Sequence, residues 1–180
     1  MTAFQLNDLV FGFTWRSSDE KAHQEFVLAP QNLLAKVPEG WEHRLHEVVT
    51  LPNNFVTAWH TLVTDLGLTL PWPKTDEALP EKEERILVWG GSSSVGQFAL
   101  QILRYYGYGN VVATASRRNS ELCKESGAKA VVDYNSANFA SEIRDALGGD
   151  VDLVSCITWL EVFVLTRFTQ GTRLHWQLGR

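Results

Sequence analysis

Residues 86–106 read ILVWGGSSSVGQFALQILRYY, and the change of period inside this stretch decides the fold. Ile86-Leu87-Val88-Trp89 is a short continuous apolar run, the pattern of a strand buried on both faces. Gly90-Gly91-Ser92-Ser93-Ser94 is a small-residue turn. Beyond it Val95, Phe98, Ala99, Ile102, Leu103 and Tyr106 recur at intervals of three and four, which is one face of a helix. A strand that turns tightly into a helix leaves the helix's first N–H groups unpaired, and the helix dipole favours an anion there. Gly91-Ser92-Ser93-Ser94-Val95-Gly96 approaches the dinucleotide fingerprint. Gly91 is expected to make the tight turn and Gly96 the close helix–sheet contact. Ser93 stands at the middle glycine position, where its hydroxyl can donate to a phosphate. No Gly-Lys-Ser/Thr follows, so the turn is not a P-loop.

Downstream the same alternation repeats. Val111 to Ala115 reads as a second strand. Glu121 to Glu125 reads as a short helix stopped at Ser126-Gly127. Ala130 to Val132 is a third strand, Phe139 to Leu147 a helix stopped by Gly148-Gly149, and Val151 to Ile157 a fourth strand. This order predicts a parallel sheet with helices on both faces. Trp159 to Phe168 is rich in large apolar residues, able to dock over the sheet as a helix or a strand.

Upstream the pattern is different. Leu9 to Phe13, His23 to Ala29 and Leu33 to Val37 read as short antiparallel strands separated by turn signals. Glu42 to Val49 reads as a helix interrupted at Leu51-Pro52, with Asn54 capping a further helix that carries Ala58, Trp59 and Leu62. Gly67 to Glu84 holds three prolines and many acidic residues, the composition of a surface linker. A boundary is expected near Pro80. The predicted divisions are 1–50 for a β-rich unit, 51–80 for a connecting helix and linker, and 81–180 for the α/β unit.

The 180 residues carry a net charge of -5, which favours neither nucleic acid nor an anionic membrane. Cys123 and Cys156 are far apart and lack metal-ligand spacing, which suggests buried thiols in a reducing, cytoplasmic compartment. His23, His43, His46, His60 and His175 are scattered, so no metal site is expected. At the end of the second strand, a ribose-binding acid would signal NAD. Here the residues are Ser116-Arg117-Arg118-Asn119. Ser116 can hydrogen-bond a 2'-phosphate, and Arg117 or Arg118 can form a charged fork with it, which favours NADPH.

As a set, Asn7 to Phe13, Glu25-Phe26-Val27, Leu51-Pro52 with Val56-Thr57-Ala58, and Ile86 to Gly96 resemble the medium-chain dehydrogenase/reductase superfamily. Ser116-Arg117-Arg118-Asn119, Gly127-Ala128 and Val132-Asp133-Tyr134 resemble its zinc-free quinone reductase and fungal trans-acting enoyl reductase branch. The resemblance covers roughly residues 4 to 155. It implies a partial GroES-like β-rich domain, followed by a partial Rossmann domain in a chain truncated at both ends. It also implies that Gly91, Ser93, Ser94 and Gly96 surround a pyrophosphate and that Ser116 and Arg118 take the 2'-phosphate. Tyr134 would pack near the adenosine, and Thr57 would lie near the nicotinamide. The implied reaction is hydride transfer from NADPH to a polarised alkene in a small-molecule substrate, with a polyketide synthase as partner. A fragment that binds nucleotide without turnover is the alternative.

Overall fold

The computed structural model describes residues 4–21, 24–74, 82–157 and 162–166. The chain divides into two compact units, Met1–Val56 and Thr57–Arg180. The Pro80 boundary expected from the sequence lies outside the described residues.

In the first unit, β1 (Val10–Gly12) pairs antiparallel with β2 (Leu34–Lys36), Phe11 opposite Ala35. Lys36 Nζ meets Asp8 at 2.6 Å beside the pair. The third expected strand does not form: Gln24 to Ala29 are irregular, and Phe26 is 88% exposed. The HQEFVLA pattern has strand propensity, but no described segment offers it a ladder, and unpaired strands are not stable in water. Its first residue, His23, lies outside the described residues. A 3₁₀ turn, Glu42–Arg44, leads into α1 (Leu45–Val48) as predicted.

The helical run that follows differs from expectation. Leu51–Phe55 is a π-type turn, α2 spans Val56–His60, and Thr61–Asp65 is again π-type. Pro52 sits in the first turn, where its missing N–H costs nothing, so it starts the run instead of breaking it. Asn54 is therefore inside the run and its N–H donates to Thr50 O, so it is no cap.

The second unit is the α/β sheet. Its strands are β3 (Ile86–Trp89), β4 (Val111–Ala115), β5 (Ala130–Asp133), β6 (Leu153–Ile157) and β7 (Val162–Thr166), in the order β5-β4-β3-β6-β7. The first four are parallel, and the order is that of half a Rossmann sheet, with β3 central. β7 is antiparallel on β6, so the sheet continues past the fourth strand predicted from sequence. Val-Phe-Val-Leu-Thr is β-branched and aromatic, and takes the free edge of β6.

The helices are α3 (Ser94–Tyr105), α4 (Ser120–Ser126) and α5 (Phe139–Leu147). On one face Leu87, Val112, Val132 and Val154 pack with Ile143 and Leu147 of α5, and Trp89 meets Phe139 edge-on at 6.0 Å. The alternating set, including Val88, Val111 and Ala113, is fully buried on the α3 side. Gly127 at φ +127° and Gly148 at φ +73° stop α4 and α5 as the sequence predicts. Arg85 clasps Asp152 through Nε (3.0 Å) and Nη2 (2.9 Å), tying the start of β3 to that of β6.

The expected linker is partly core. Leu68 and Leu70 are buried, and Tyr106, itself buried, donates its hydroxyl to Pro71 O at 2.7 Å. Alternating leucines give this segment an inward face that its prolines and acids conceal. Residues 75–81 lie outside the described residues.

Candidate functional site

The site is built at the carboxyl ends of three adjacent strands. β3 ends in the Gly-rich turn, β4 ends at Ser116, and β5 ends at Asp133-Tyr134. Neighbouring strands lie about 4.8 Å apart, so these three ends span roughly 10 Å. The crevice between β3 and β6, where strand order reverses, is the usual ligand position in such sheets.

The turn has a division of labour that the spacing alone does not show. Gly90, not Gly91, adopts the left-handed conformation, at φ +76°. A glycine is needed there because a side chain would be strained. Gly91 is needed for packing: a Cβ on it would lie 2.7 Å from Ala113 Cβ and 3.3 Å from Leu100 Cδ1. Gly96 allows α3 to close on the turn, since a Cβ there would lie 2.9 Å from Gly91 Cα and overlap Gly90 O. Ser93 caps α3, its Oγ accepting from Gly96 N–H at 3.0 Å. The Ser93 hydroxyl proton stays free to donate outward. Gln97 Nε2 donates to Ser92 O at 3.0 Å. The N–H groups of Ser92, Ser94 and Val95 meet no acceptor among the described residues. Three free N–H groups and a free hydroxyl at the positive end of a twelve-residue helix form a cradle for an anion.

Two contributions leave no mark in the linear sequence. Thr114, fully buried in β4, receives Gly90 N–H on Oγ1 at 3.0 Å and Gly91 N–H on its carbonyl at 2.9 Å. Threonine inside a strand signals only β propensity, so nothing marked it. Asp133 is opposite Ala115 in the parallel register, which brings an acid beside the Ser116 loop from the next strand. Its carboxyl is held below the ordinary range, first by the N–H of Asn135 (2.9 Å), with further help from the charge of Arg117. Arg117 and Arg118 are both exposed and Ser116 is half-buried at the start of a 3₁₀ turn. Tyr134 is 45% exposed one residue past the register pair, on the same sheet edge as Ser116. Gly91, Ser93, Ser94, Gly96, Ser116, Arg117, Arg118 and Tyr134 thus share one edge. Thr57 is half-buried in α2, and no hydrogen bond among the described residues joins it to the turn.

Other chemistry is sparse. Cys123 is buried beneath Gly91, and burial pushes its thiol up, so it is no nucleophile. Among the described residues no three His, Cys, Asp or Glu side chains gather as a metal site. No described helix is long and apolar enough to cross a membrane. A cavity of about 380 Å³ lies at the opposite, amino-terminal edge of the sheet, lined by Arg104, Lys124 and Lys129 among others. Arg104 there donates to Glu125 O and Lys129 to Asn110 Oδ1, contacts that serve the ends of α3 and α4. The strand-end cradle, not this cavity, carries the anion-binding geometry.

The comparisons with known proteins agree with that geometry. Residues 94–158 match the family profile described as zinc-binding dehydrogenase. Dehydrogenase pigH of Monascus ruber is 36% identical over 158 residues, 83% of this chain and 41% of that protein. The enoyl reductase component lovC of the lovastatin nonaketide synthase of Aspergillus terreus is 32% identical, over 89% of this chain and 45% of its own length. Among solved structures, an alcohol dehydrogenase superfamily protein from Novosphingobium aromaticivorans is similar at a TM-score of 0.65 and 28% identity. That match covers 88% of this chain and 43% of the other. The chain is thus similar to zinc-binding dehydrogenases over residues 94–158 and to fungal dehydrogenases and an enoyl reductase along most of its length. It spans less than half the length of these relatives.

Proposed function

We propose that this chain binds NADPH and serves an oxidoreductase that reduces a polarised carbon–carbon double bond, of the enoyl or quinone type. The observation that carries the reading is the alignment of the Gly-rich cradle, the Ser116–Arg118 loop and Tyr134 on three successive strand ends. The residues fit a dinucleotide: Gly96 lets α3 close on the turn, and the free N–H groups of Ser92, Ser94 and Val95 suit a pyrophosphate. Gly91 keeps the turn seated on β4, and Ser93 donates its hydroxyl to the phosphate. Ser116 and Arg118 hold the 2'-phosphate, with Arg117 adding charge that Asp133 partly balances. Tyr134 covers the adenosine end, and Thr57 stands toward the nicotinamide end.

Bound NADPH supplies the hydride; the chain supplies position and electrostatics. A small-molecule substrate and a polyketide synthase partner are proposed through the likeness to lovC, and a cytoplasmic location goes with them. The proposed divisions are a partial GroES-like unit at 1–50, a connector at 51–80 and a partial Rossmann unit at 81–180. Nucleotide binding without turnover by these 180 residues is the second reading. NADPH oxidation measured with an enoyl thioester and with a quinone separates the two: turnover supports the reductase, whereas saturable NADPH binding without turnover supports the second.

A further inference from the structure

We infer that Thr114 is a positioning residue for the anion cradle, holding the Gly-rich turn in the conformation that presents its free N–H groups. This inference rests on the dinucleotide reading and assigns a residue that does not itself touch the nucleotide. Thr114 grips the turn twice, through Oγ1 to Gly90 N–H at 3.0 Å and through its carbonyl to Gly91 N–H at 2.9 Å. The second bond is backbone and any residue would make it. The first belongs to the hydroxyl, and its donor is the residue that holds the left-handed φ of +76°. Without that acceptor, the Gly90 peptide loses the partner that fixes its orientation, and a partly buried N–H left unpaired favours a rotated turn. Ser93 and Gly96 are tied to Gly90 as well: Ser93 N–H donates to Gly90 O at 2.9 Å, and a Cβ on Gly96 would overlap the same carbonyl. Rotation of Gly90 therefore carries Ser93 and the start of α3 with it. Thr114 is also two residues before Ser116 on the same strand, so β4 fixes both the pyrophosphate end and the 2'-phosphate end of the site.

The test uses the full chain, two probes and two substitutions. ADP reports the pyrophosphate cradle, and adenosine 2'-monophosphate reports the Ser116–Arg118 end alone; both are titrated by calorimetry. Thr114→Val keeps the shape and removes the acceptor, and Thr114→Ala replaces it should the valine variant not fold. Either variant is expected to bind ADP roughly tenfold more weakly while holding adenosine 2'-monophosphate within about twofold of the wild type. Thr114→Ser restores the hydroxyl and is expected to restore ADP binding. Unchanged ADP binding, an equal loss for both probes, or failure of serine to rescue would overturn the inference. A wild-type chain that binds neither probe would overturn the dinucleotide reading on which it rests.

Discussion

Gly96→Ala tests whether helix–turn contact is what shapes the cradle. The added Cβ would lie 2.9 Å from Gly91 Cα and 3.0 Å from Gly91 C, and it would overlap Gly90 O. All three atoms are backbone, so no side-chain rotation relieves the contact, and α3 must lift away from the turn. Overpacking of this kind costs typically 1–3 kcal/mol, and backbone neighbours put this case at about 2–3. Alanine's better helix propensity returns about 0.5–1 kcal/mol, leaving a net loss of about 1–2.5. For a chain of this size that lowers Tm by about 2–10 °C. The lifted helix also moves the Ser94 and Val95 N–H groups, so NADPH affinity is expected to fall about tenfold. Gly109→Ala is the control, because a Cβ there meets nothing within 4 Å; it should change stability by under about 0.5 kcal/mol. Thermal unfolding with and without NADPH reads both quantities. A Gly96→Ala chain as stable as the wild type, with unchanged NADPH affinity, would refute the packing argument.

Arg118→Ala is expected to weaken NADPH by about ten- to a hundredfold, the worth of a charged hydrogen bond, and to leave NADH nearly unchanged in parallel titrations. Tyr108 is buried, and burial, with the charge of Glu84 adding to it, pushes its phenol up to about 12. The unfolded chain ionises this group near 10, so stability is lost as pH rises from about 10 to 12; Tyr108→Phe should abolish that part of the alkaline loss in pH-dependent unfolding curves. The fork of Arg85 holds the Asp152 carboxyl below the ordinary range. Its stabilisation is full above the unfolded value and is lost as pH falls through the lowered one, so Asp152→Asn should be less stable than wild type at neutral pH and converge with it in acid. Ile143→Ala opens the core under α5 and is expected to cost about 2–5 kcal/mol by denaturant unfolding.

The second unit was readable because its signals are local. Ile86 to Trp89 and Val111 to Ala115 are too apolar for anything but buried strands, and Gly127 and Gly148 stop helices for steric reasons visible in one residue. The first unit was less readable because a strand needs a partner. HQEFVLA has the right composition, and only the three-dimensional neighbourhood reveals that no ladder among the described residues meets Gln24 to Ala29. Pro52 has the look of a breaker in the sequence, although its effect depends on position in the turn. At the site, Gly96 and the Ser116-Arg117-Arg118 loop could be named from spacing. Thr114 and Asp133 could not, since each acts across a strand pair whose register is a property of the fold. The exchange of roles between Gly90 and Gly91 was hidden for the same reason: one is fixed by φ, the other by Ala113 on the next strand.

We propose that three strand ends form a site that reads a 2'-phosphorylated dinucleotide. Calorimetric titration of the wild-type chain with NADPH and with NADH at fixed ionic strength tests it most directly. The account predicts saturable one-to-one binding of NADPH, at least about tenfold tighter than NADH. Equal affinity for the two cofactors, or no saturable binding of either, would contradict it.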